Sequence, residues 1–179
     1  MTNETLIEEL VEDGYLKTPA LIDAFKKIDR AKFVPAGEEN HAYENRPLAL
    51  PEGQTISQPL TVAFLLELLE PKRGEKILDV GAGSGWQAAL LAELVGETGK
   101  VIAVERVKEL QEFASMNVAK FGFTENGVVR VVHGDASEGY APEAPYDKIV
   151  AAAAAEQIPP ARRNQVKVGG RIVAPVGGA

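Results

Sequence analysis

The chain contains no cysteine. That excludes a disulfide framework and thiolate metal sites, and it leaves the fold indifferent to the redox state of its compartment. Histidine is nearly as scarce. His41 and His133 stand far apart, no H-E-x-x-H spacing occurs, and no metal is expected. Long apolar runs are missing too. A membrane helix needs about 18 apolar residues, and stretches such as 149–155 have only the length of a strand. The opening MTNETLIEEL is acidic and lacks the basic segment of a signal peptide. A cytoplasmic protein is therefore expected. Basic residues are outnumbered, 19 Lys and Arg against 26 Asp and Glu, for a net charge of −7. Such a chain repels polyphosphate at long range, so nucleic acid is not an expected partner.

What remains is an ordinary globular composition. The 179 residues are 45% hydrophobic, enough for one domain with a real core. The chain changes character near Pro71. Before it, residues 4–11 and 21–30 have helical spacing, with Leu6, Ile7, Leu10 and Val11 on one face of the first. Thr18-Pro19 reads as the N-cap and first position of the second helix. Residues 33–53 hold three prolines and two glycines and read as a long loop that wraps over something. A third helix follows over 60–69.

After Pro71, strands and helices alternate. Strands are expected at 76–80, 101–105, 128–132, 148–153 and 171–176. Helices are expected at 86–95, 107–121 and, most weakly, 159–168, closed by Gly169-Gly170. The strands do not alternate in polarity, which suits a sheet covered by helices on both faces. The pattern predicts an α/β fold with a doubly wound, Rossmann-like parallel sheet.

The chemistry-bearing signal is Leu78-Asp79-Val80-Gly81-Ala82-Gly83-Ser84-Gly85, between a strand and a helix. Ligands of doubly wound sheets bind at the carboxyl ends of strands, and glycines there let backbone approach them. Alone, this is equally a tight β-to-α turn. Glu105 ends the next strand, where a carboxylate can accept hydrogen bonds from both ribose hydroxyls. A dinucleotide fingerprint would have a small residue where Trp86 stands. Asp79 would repel a pyrophosphate but pair with an ammonium group. S-adenosylmethionine carries that ammonium, with a ribose and an adenine, and fits better than a nicotinamide dinucleotide. Asp135, after the third strand, can accept from an adenine amino group. Ser57, in Gln54-Thr55-Ile56-Ser57-Gln58-Pro59, reads either as the N-cap of the third helix or as the substrate side of the same site.

These stretches, with RAKFVP (30–35), AYENRPLAL (42–50), GQTISQP (53–59), AAAAEQIPPA (152–161) and VKVGGRIVAPVG (166–177), closely resemble the protein-L-isoaspartate (D-aspartate) O-methyltransferases. The resemblance implies methylation, from S-adenosylmethionine, of the α-carboxyl of L-isoaspartyl residues in damaged proteins. Ser57 would be the active-site serine. Thr55, Ile56, Ser57, Asp79, Gly81, Gly83, Ser84, Gly85, Glu105, Arg106, Asp135 and Ala136 would contact the cofactor. The partners would be isoaspartyl proteins and peptides, with no membrane. Residues 1–70 would form a helical and loop cap on a core at 71–179 of a single methyltransferase domain. Asn45 and Ala151 depart from the residues common in the family. The family usually carries two further strands beyond the PVG stretch, so a C-terminally short sheet of about five strands with an open edge is expected. A monomer is expected, with pairing through that edge as the alternative. Other readings are a catalytically weak, truncated cofactor-binding or interaction module, and a methyltransferase of small molecules or RNA.

Overall fold

The computed structural model describes residues 1–177. Helix α1 (Asn3–Glu12) begins at Thr2, whose side chain accepts from the Thr5 N–H. It buries Leu6, Ile7 and Leu10. Val11 is exposed and does not join their face. Helix α2 (Pro19–Lys27) starts after Thr18, but the Thr18 hydroxyl does not cap it. That hydroxyl donates to Glu67 of α3 (Pro59–Leu69) at 2.7 Å, and the same carboxylate accepts from the Lys17 and Thr18 N–H groups. The segment between α2 and α3 is loop and short 3₁₀ turns around a two-residue hairpin, β1 (Leu48–Ala49) against β2 (Thr55–Ile56).

The remaining elements are β3 (Lys76–Val80), α4 (Trp86–Val95), β4 (Lys100–Glu105), α5 (Lys108–Ala119), β5 (Val129–His133), β6 (Tyr146–Ala151), α6 (Pro160–Arg163) and β7 (Val166–Val173). The strands form one parallel sheet in the order β5-β4-β3-β6-β7. The chain moves outward from β3 through β4 to β5, then returns to the other side of β3. That reversal between β3 and β6 opens a crevice at their carboxyl ends.

The two faces differ. Ile77, Val101, Ala103, Val129 and Val150 face a large core shared with α1 to α5. Helix α4 is buried on nearly every side, which explains why its sequence is apolar all round. On the opposite face Leu78, Val80, Ile102, Val104 and Ile149 pack with Ala136, Tyr140 and Tyr146. No helix longer than one turn covers that face among the described residues. The expected helix at 159–168 is the single turn α6, and Gly169-Gly170 do not close it. They lie inside β7, which begins five residues before the expected start at 171. A Cβ at Gly170 would come within 2.5 Å of the Asp147 carbonyl oxygen, so glycine there permits close pairing with β6. Strand β7 lies at the sheet edge, with Val168 fully exposed.

Candidate active site

The carboxyl ends of β3, β4 and β6 open into a cleft of about 530 Å³. That is ample for a nucleoside-sized ligand. One wall is the glycine turn after β3. Gly81 and Ala82 donate their N–H groups to the Val104 carbonyl, folding the turn over β4. Gly81 has φ 89° and Gly83 φ 53°, a region that disfavours side chains. A Cβ at Gly81 would stand in open space, so the backbone is laid bare to the cleft.

Glu105 ends β4 and is 6% exposed. One carboxylate oxygen accepts from the Gly83 N–H at 2.9 Å and the other from the Val107 N–H at 3.0 Å. A carboxylate has about four lone-pair sites, so each oxygen keeps one for a ligand. Asp135 lies on the wall beyond β5, where its Oδ1 accepts from the Ser137 N–H. That backbone hydrogen bond is the main cause holding its carboxyl below the usual range.

Thr55, Ser57, Gly81, Gly83, Glu105, Arg106, Asp135 and Ala136 thus share one cleft. Ile56, Asp79, Ser84 and Gly85 lie behind its wall. Ile56 is in the core. The Ser84 hydroxyl accepts from the Trp86 N–H at the start of α4. A Cβ at Gly85 would come within 3.0 Å of the Ala114 carbonyl oxygen and 3.1 Å of Val118, so this glycine serves the close packing of α4 on α5. Asp79 is fully buried. Its Oδ1 accepts from Gln87 Nε2 at 2.7 Å, while its Oδ2 has no donor. Burial, with Glu105's charge adding and the Gln87 bond opposing, pushes the Asp79 carboxyl up to about 7.

Ser57 is not the N-cap of α3. The N-cap is Gln58, and the Leu60 N–H is satisfied by Asn45 Oδ1 at 3.1 Å. A side chain fifteen residues away does the capping, which leaves Ser57 on the cleft wall. Arg162 also lines the cleft and went unremarked in the sequence. It is buried and donates to the Ala136 carbonyl at 3.1 Å. Its place depends on α6 being one turn, which no periodicity signals.

The family model for "Protein-L-isoaspartate(D-aspartate) O-methyltransferase (PCMT)" matches residues 1–179. The chain belongs to this family. A protein-L-isoaspartate O-methyltransferase of Methanopyrus kandleri is 46% identical over 174 residues, covering 97% of this chain and 76% of that protein. One from Ignicoccus hospitalis is 46% identical over 171 residues, 96% of this chain and 80% of its own length. A solved protein-L-isoaspartate O-methyltransferase superposes with a TM-score of 0.86 at 30% identity, over 98% of this chain. The chain spans about half of that protein's length, 55%. A putative Plasmodium falciparum member, solved in complex with S-adenosyl-L-homocysteine, shares the fold with a TM-score of 0.89 at 23% identity, over 99% of this chain and 85% of its own.

Proposed function

We propose that this chain transfers a methyl group from S-adenosylmethionine to the α-carboxyl of L-isoaspartyl residues in damaged proteins, which initiates their repair. The observation that carries the reading is one cleft shared by the 54–57 turn, the bare Gly81 backbone and Glu105. The wall suits the donor. Glu105 would hold the ribose with its two remaining lone pairs. Asp135 and Ala136 would meet the adenine edge. The glycine turn would face the amino-acid tail, and Asp79 behind it keeps an acceptor oxygen without a donor.

S-adenosylmethionine, when bound, supplies a methyl group on a positively charged sulfur. The substrate carboxylate is ionised at neutral pH, so no residue has to remove a proton. The chain's task is alignment and exclusion of water. Ser57, which lines the cleft, would offer its hydroxyl as a donor for that carboxylate, and would act as a holder rather than a nucleophile. The scarcity of histidine and the lack of cysteine are therefore compatible with catalysis.

Residues 1–70 are read as a cap and 71–179 as the core of one methyltransferase domain. No helix among the described residues is long and apolar enough to cross a membrane. The composition favours a cytoplasmic protein acting without nucleic acid, and a monomer is our reading of its assembly, with pairing through the β7 edge as the alternative. The test is an assay with a synthetic isoaspartyl peptide and methyl-labelled S-adenosylmethionine. Label should enter the peptide as a base-labile ester and be absent from the matched aspartyl peptide. No incorporation, or equal incorporation into both, would overturn the reading.

A further inference from the structure

We infer that the positive charge of Arg30, buried directly behind Ser57, orients the substrate carboxylate. Arg30 is then a positioning residue for the anionic half of the reaction. The inference rests on the proposed methyl transfer to a carboxylate at Ser57.

Arg30 opens a 3₁₀ turn after α2 and is 0% exposed. Its Nη1 donates to the Ala42 carbonyl at 2.5 Å. Its Nη2 donates to the Ser57 carbonyl at 3.0 Å and more weakly to that of Arg46 at 3.3 Å. The guanidinium also lies over the Trp86 ring, 5.2 Å from its centroid. All of these partners are neutral. Among the described residues Arg30 has no acidic partner, and its Nε has no hydrogen bond. Asp29, its neighbour in the chain, and Glu44, close to Arg46 in sequence, are both occupied. Asp29 accepts from Ala31 N–H and the Tyr43 hydroxyl, and Glu44 pairs with His41 and Arg46. Burial, with Arg46's like charge adding, lowers the guanidinium to about 10, which leaves it protonated at neutral pH.

A cation buried without a counter-ion is costly, and a clamp of three carbonyls does not require one. The cleft in front supplies a use for it. Glu105, Asp135 and Glu138 line that cleft together with Arg106 and Arg162, and both arginines act on Asp135. The cation hydrogen-bonded to Ser57 is Arg30. Ser57 touches both regions: its carbonyl is held by Arg30, and the residue itself lines the cleft. A carboxylate resting on Ser57 would lie in the field of this cation, which is held one residue away through the Ser57 backbone.

The test compares the unaltered chain with Arg30→Met and Arg30→Lys. It reads KM and kcat for the isoaspartyl peptide, and the calorimetric Kd for S-adenosylhomocysteine. Arg30→Met should raise the peptide KM about tenfold while the Kd stays within about twofold. Arg30→Lys, which keeps the charge and loses the planar fork, should bring KM back to within about threefold of the original. An unmoved KM in Arg30→Met, a KM and Kd that rise together, or a lysine variant no better than methionine would each overturn the inference. Should Arg30→Met fail to fold, Arg30→Gln, which keeps amide donors for the carbonyls but has no charge, takes its place. A KM raised about tenfold with the Kd intact supports the charge, and a near-original KM contradicts it. If the unaltered chain methylates no isoaspartyl peptide, the functional reading fails and takes this inference with it. Turnover with KM unmoved in the variant sinks only the inference.

Discussion

Two side chains of the cleft face different halves of one reaction. Ser57 faces the substrate, so Ser57→Ala should cut methyl transfer while calorimetric affinity for S-adenosylhomocysteine stays nearly unchanged. Equal loss of both would remove its assigned role. Asp79 carries a pH signature. Its carboxyl titrates near 3.8 ordinarily and near 7 when folded, because burial disfavours the charged form. The folded chain therefore holds that proton more tightly than the unfolded chain. The contribution to stability is complete at low pH and is lost as pH rises through about 7. Asp79→Asn removes it. Urea unfolding at stepped pH should show the stability of the unaltered chain falling relative to the variant between about pH 4 and pH 7. Parallel curves would mean that Asp79 is not buried as described. At this scale the sequence marked Asp79, Glu105 and Asp135 as acids at strand ends, but not their depth. Nothing local says that Asp79 turns from the cleft toward Gln87, or that Arg162 turns toward it.

The strand–turn–helix unit around β3 and α4 uses its glycines for two purposes. Gly81 leaves backbone open to the cleft, whereas Gly85 lets α4 press on α5. Gly81→Ala and Gly85→Ala both meet the strain of a left-handed backbone. Gly81→Ala should also weaken S-adenosylhomocysteine binding, whereas Gly85→Ala should leave binding nearly intact and cost a further amount of about 1–3 kcal/mol through its crowded Cβ. Thermal melts paired with titrations check both, and identical profiles would erase the distinction. The G-x-G-x-G spacing announces the turn without separating these roles, because the second depends on Ala114 and Val118 of a later helix. The same limit appears elsewhere. The strands after Pro71 were legible from apolar runs, and so was their parallel sheet, but the expected helical cover on both faces was not: among the described residues one face carries no helix longer than a turn. Helix α6 shrank to one turn because Val166 already pairs with Tyr146 of β6. Ser57 misled as a cap because Asn45, from the preceding loop, satisfies the start of α3.

Across the molecule, one core joins the N-terminal helices to the sheet. Leu6, Phe25, Leu66, Trp86 and Val101 belong to the same buried cluster. Trp86, the single tryptophan, lies against Phe25 of α2 with ring centroids 5.5 Å apart. Its fluorescence therefore reports the joint between residues 1–70 and the rest. Tryptophan emission and far-ultraviolet circular dichroism should melt together in one transition. Separated midpoints would divide the chain into two units. The composition change near Pro71 was visible in the sequence, but the shared core beneath it was not, since it forms from residues distant along the chain. Methyl transfer by this chain requires a sulfonium donor resting over the ends of β3 and β4. Calorimetric titration of the unaltered chain and of Glu105→Ala with S-adenosylhomocysteine tests that most directly. One site should bind in the unaltered chain, and the substitution should weaken it by about 1.5–3 kcal/mol, as expected for hydrogen bonds to a charged group. Absence of binding, or equal affinity in both proteins, would contradict the account.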